Sequence, residues 1–138
     1  MAAYTFTPGD VIAPTGGAFN AVAGVALAAG DLIYLDASDS NKAKLAQSDG
    51  AVAQAAVVGI CVNSAAIGQP IMYNTGGVIT VDAASFATVG ELLVLSADAG
   101  DLSPALDLAT GDYVSILGWV LSANTFQFSI KNTGVQHA

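Results

Sequence analysis

The chain has 138 residues, of which 54% are hydrophobic and only 10% charged, and 11 acidic residues against three lysines and no arginine set its formal net charge at −8. That field disfavours nucleic acid and anionic membrane surfaces, because binding phosphates needs cations that displace condensed counterions. A single cysteine excludes an intrachain disulfide, and this length suits one compact domain or two small lobes sharing a core.

Residues 1–17 contain Pro8, Pro14, Gly9, Gly16 and Gly17. The prolines remove donors and favour extended backbone and the glycines punctuate any regular element, so the segment is an N-terminal arm or an edge strand with its loop. Its first residues lack a positive n-region and an apolar h-region, so the expectation is synthesis in the cytoplasm. Residues 18–138 form the β-rich domain. The nearly apolar stretch Ala18 to Ala29 is too short to span a bilayer. Ala and Leu cluster in Gly17 to Ala29 and in Ser103 to Ala109, which allows one short helix at most.

From Asp31 onward the apolar residues come in strand-length runs, among them Leu32 to Leu35, Ala56 to Val62, Ile71 to Tyr73, Val78 to Val81, Leu92 to Leu95, Tyr113 to Leu117, Trp119 to Leu121 and Phe126 to Ile130. Val, Ile, Tyr and Phe enrich these runs and turn residues separate them, which predicts an all-β fold, a small antiparallel barrel or sandwich. Phe126, Phe128 and Ile130 alternate with Gln127 and Ser129, as in a strand with one wet face. Gly76-Gly77 reads as a hairpin turn, and Gly59 and Gly118 as bulges or corners at matching places.

The chain also repeats itself. Gly30-Asp31-Leu32-Ile33-Tyr34-Leu35 returns as Gly90-Glu91-Leu92-Leu93-Val94-Leu95, Val58-Gly59-Ile60-Cys61-Val62 as Leu117-Gly118-Trp119-Val120-Leu121, and Asn74-Thr75-Gly76 as Asn132-Thr133-Gly134. Small losses in connecting loops account for the slight drift in spacing, so a duplicated β module over 24–77 and 84–134 is expected.

Little chemistry is on offer. His137, the single imidazole, is penultimate, where it is poorly fixed for general-base work, and one Cys with one His supplies no zinc site. Cys61 lies in an apolar run as a small hydrophobe, and Asp36 to Asn41 reads as a turn rather than a calcium loop. No phosphate loop occurs. Trp119 is expected to anchor the core. A hydrolase would have to be built from loop carboxylates such as Asp36, Asp39, Asp98 and Asp101. The expectation is no enzyme, no cofactor and no metal. With so few charges to cover the surface, self-association or a partner is expected to close part of it.

The segments Ala28 to Leu35, Ala56 to Ile60, Gly68-Gln69-Pro70-Ile71, Gly90 to Ser96 and Gly111 to Gly118 carry a resemblance. Over roughly residues 18 to 135 the chain resembles the head decoration proteins of tailed bacteriophages, also called capsid-stabilising or cement proteins. The resemblance implies a β-rich subunit made in the host cytoplasm that assembles as a trimer. It would sit on the capsid exterior of the virion and bridge neighbouring copies of the major capsid protein. It further implies that a terminal arm reaches the shell, which makes Tyr4, Phe6, Pro8, Val11, Ile12 and Pro14 the candidate capsid-binding residues. The competing reading is a carbohydrate- or receptor-binding module of a tail fibre, spike or baseplate, which exposure of Trp119 would favour.

Overall fold

The computed structural model describes residues 3–12, 18–83 and 85–138. The fold is all-β, with ten strands in two five-stranded antiparallel sheets packed as a sandwich. In chain order the strands are β1 (Ala18–Val22), β2 (Leu32–Asp36), β3 (Lys42–Leu45), β4 (Gly59–Cys61), β5 (Pro70–Asn74), β6 (Gly76–Thr80), β7 (Leu92–Leu95), β8 (Leu102–Pro104), β9 (Tyr113–Ser122) and β10 (Thr125–Gln136). Helical structure among the described residues is limited to short 3-10 turns. One of them, Ala105–Asp107, falls in the second Ala/Leu cluster. The first cluster yields β1 instead, because Ala21 and Ala23 turn toward a buried cluster that a helix there would not fill.

The sheets are two copies of one arrangement. Their strand orders are β1-β5-β4-β2-β3 and β6-β10-β9-β7-β8, so each strand of the first half has its counterpart five strands later. Register agrees: Leu32 pairs with Ile60 and Ile33 with Gly59 in the first module, and Leu92 with Trp119 and Leu93 with Gly118 in the second. The entry turns match as well. Gly30 and Gly90 take left-handed φ values of 97° and 87°, which a side chain would strain, and their N–H groups donate to Cys61 and Val120 respectively. The third sequence landmark does not correspond in space. Asn74 ends β5, whereas Asn132 lies within β10 opposite Ser115, because the eight-residue connection Val62 to Gln69 shrinks to Ala123-Asn124 in the second copy. Nor is Gly76-Gly77 a hairpin: β5 and β6 belong to different sheets, and the glycines are the first two residues of β6. At Gly118 the β7–β9 register does shift, as a bulge would shift it.

Each module curls around its own apolar interior. Ala23, Leu27, Ile33, Ala43, Cys61, Ile71 and Tyr73 fill the first. Their counterparts Val81, Phe86, Leu93, Leu102, Val120, Phe126 and Phe128 fill the second. The outer face of the first module, carrying Leu32, Tyr34 and Ile60, joins the second module's cluster, so that face is sealed inside the chain. The seam is stitched by backbone: Leu32 N–H donates to Gly100, Gly100 N–H to Ala46, and Tyr113 N–H to Ser48. The Asn132 amide also brackets Val57, accepting from its N–H and donating to its carbonyl.

Candidate interaction surface

The predicted capsid-binding residues lie along a segment that serves the second module. Tyr4 N–H donates to Leu102 of β8 at 2.8 Å, and Ile12 exchanges backbone hydrogen bonds with Thr80 of β6 at 2.8 and 2.9 Å. The segment therefore bridges the two edges of the second sheet. Tyr4 and Phe6 pack edge-on against Phe86, and Phe6 stacks over Phe126 with centroids 6.4 Å apart. The Tyr4 hydroxyl donates to Glu91 at 2.6 Å, and burial together with that acceptor pushes its pKa up to about 12, so it stays a donor at any ordinary pH. Thr7 gives its N–H and hydroxyl to the Asp82 carboxylate, which holds that carboxyl below its usual range. Tyr4, Phe6 and Val11 are thus half-buried against their own core, while Pro8 and Ile12 face solvent. Pro14 lies outside the described residues.

Trp119 departs from expectation. It is 45% exposed rather than a core anchor, on the outer face of β9, while its neighbour Val120 fills the interior. Across the sheet it lies in one row with Gln127 of β10 and Leu92 of β7, and Gln127 in turn faces Val78 of β6. Leu121, two residues along β9, extends the apolar patch. Exposed Val22 and Met72 share one face of β1 and β5 in the first module, while Phe19, also exposed, stacks on Tyr73 on the opposite face. Sequence reasoning placed none of Val78, Leu92 and Leu121 at a surface, because in a continuous apolar run the inward and outward positions look alike.

The four candidate carboxylates fall on two separate hairpins. Asp36 and Asp39 sit on the β2–β3 hairpin and share Lys44, at 2.7 and 3.2 Å. Lys44 and Ser38 hold the Asp36 pKa down at about 2. Asp98 and Asp101 sit on the β7–β8 turn of the other module, beside the seam. Burial, with the charges of Asp31 and Asp98, raises Asp101 to about 6. A cleft of about 190 Å³ nearby is lined by Asp98, Asp107 and Asp112, and Asp112 there accepts the Ala109 N–H as a turn cap. Among the described residues no group of three or more His, Cys, Asp or Glu could hold a metal ion. Cys61 is buried, its thiol donates to the Asn63 carbonyl, and burial raises its pKa. No described helix is long and apolar enough to cross a membrane.

No protein-family model matches the chain, and comparison with curated proteins finds no match.

Proposed function

We propose that the protein is a structural component of a phage virion that binds the outer surface of the capsid as an oligomer, a trimer by its resemblance, and stabilises the shell by bridging neighbouring capsomers. The observation that carries this reading is a charge-poor chain whose exposed apolar side chains form patches on both modules, Val22 and Met72 on one and Leu92, Trp119 and Leu121 on the other. Patches of this kind mark surfaces meant to be covered, whether by the shell or by another copy of the chain. The resemblance of residues 18 to 135 to head decoration proteins supplies the partner, the major capsid protein. In that role binding is the whole activity: a ligand that engages only the assembled lattice stabilises it by about 2.7 kcal/mol per site at a hundredfold excess over Kd. Pro8 and Ile12 are the exposed members of the N-terminal segment, and on this reading they are its shell-facing residues. Co-sedimentation with decoration-free heads tests the proposal. Saturable binding at a fixed ratio to capsomers is expected, and no binding, or binding that never saturates, contradicts it.

The exposure of Trp119 favours one second reading, a glycan- or receptor-binding module of a tail appendage, since an exposed indole is a stacking platform for sugars. Quenching of the single tryptophan by host-surface glycans, with the protein found on tails and absent from heads, would establish that reading in place of the first.

A further inference from the structure

We infer that the outer row of the second module, Val78, Gln127, Trp119 and Leu92, is the surface on which a second copy of this chain docks. The inference deepens the oligomeric part of the proposed function and rests on that reading.

The two modules provide an internal comparison. In the first, the positions of Leu92 and Trp119 are held by Leu32 and Ile60, both 0% exposed because the chain's own second module lies over them. In the second, Leu92, Trp119 and Val78 are 43%, 45% and 45% exposed. One face of one fold is therefore sealed by a like module in one place and left open in the other. Where repeated modules stack, the last unit needs a polar outer face to end the stack. Here the last unit carries Trp and Leu at the very positions that are Ile and Leu under the seam, so the face is built to be covered again. The cover already used in this chain is another module of the same fold, and the seam between modules is the interface that a second copy extends.

Charge agrees. Two copies that each carry −8 repel one another, and they can approach closely only where neither presents a carboxylate. The row is uncharged. A sugar site would be a poorer match, since it needs several hydrogen-bonding groups around its aromatic platform, and Gln127 is the only polar side chain in the row.

Trp119 is the only tryptophan in the chain, so its emission reports this face. Analytical ultracentrifugation of the full chain over a wide concentration range should show masses above one chain, with Trp119 emission shifting to the blue as mass rises. Trp119→Asp and Leu92→Asp should each weaken association at least tenfold while circular dichroism stays that of the parent. Leu106→Asp, at a site 90% exposed elsewhere on the surface, should leave association unchanged. Should the Asp variants misfold, Gln127→Lys, a change at a surface position, places a charge in the same row and should weaken association likewise. A single-chain mass at every concentration overturns the inference, as does association with no change in Trp119 emission or one that survives a charge in the row. Because no heads are present, an overturned inference leaves the head-binding test standing, and the two can fail separately.

Discussion

The two modules share strand order, entry turns and interior positions, yet they close in different ways. In the first, the end of β1 meets β3 directly through a parallel bridge between Ala23 and Ala43, with Gly24 N–H donating to Ala43. That approach requires small residues, since a Cβ on Gly24 would lie 3.0 Å from both Lys42 and Lys44 side-chain carbons. In the second, the counterparts of Ala23, Gly24 and Ala43 are Val81, Asp82 and Leu102, and these edges do not meet. The N-terminal segment lies between them instead, paired to β8 at Tyr4 and to β6 at Ile12, with Asp82 gripping Thr7 where the first module has only Gly24. The two modules thus share one architecture, and a few side-chain volumes decide whether it closes on itself or recruits another strand.

The largest break in this comparison comes from the interiors. Phe126→Ala removes a fully buried ring that packs on Phe86, Phe128 and Phe6, and should cost about 3–5 kcal/mol in denaturant unfolding. Ile71→Ala in the interior of the first module should cost less, about 2–4 kcal/mol, because a smaller side chain is lost. Next come the matched glycines. A Cβ on Gly118 would run into the Gln127 carbonyl, and φ there is 137°, so Gly118→Ala should destabilise by about 2–4 kcal/mol. Gly59→Ala meets the Asn74 carbonyl at 2.6 Å without a left-handed φ and should cost less.

Phe6→Ala tests the recruited closure, and a half-buried ring of this kind is worth about 2 kcal/mol. Hydrogen exchange should quicken at the Thr80 amide, which is bonded to Ile12, and stay unchanged at the Gly24 amide, which is bonded to Ala43. Equal acceleration at both amides would mean that the modules open as one unit.

The smallest effect is electrostatic and sits at the seam. The folded-state pKa of Asp101 is raised from 3.8 to about 6, so the folded protein holds that proton more tightly than the unfolded chain. The resulting stabilisation is full below about pH 4 and is lost as pH rises through about 6. Asp101→Asn should therefore leave stability near pH 4 unchanged and raise it at pH 7, on the order of 1 kcal/mol given partial exposure. Thermal melts of both proteins across that range check the sign.

Much of the architecture was legible because its cues are local. The Gly30 and Gly90 turns need left-handed backbone, and strand-length runs bounded by turn residues cannot be long helices. The repeat was legible where backbone geometry dictates the residue and misleading where it does not: Asn132 matches Asn74 in letters, yet a shortened hairpin moves it to another place on its sheet. Trp119 and Leu92 were illegible as surface residues for a physical reason. Their counterparts Ile60 and Leu32 are equally apolar and fully buried, and only the three-dimensional stacking of modules decides which copy of the face has a cover. The N-terminal segment reads in sequence as either an arm or an edge strand because prolines and glycines mark irregular backbone equally whether it is loose or docked.

Calorimetric melting of decoration-free heads, with and without added protein, tests most directly the claim that this chain acts by holding a shell together. The account predicts a melting temperature that rises with protein concentration and levels off once the sites are filled. Heads that melt at one temperature whatever the protein concentration would contradict it.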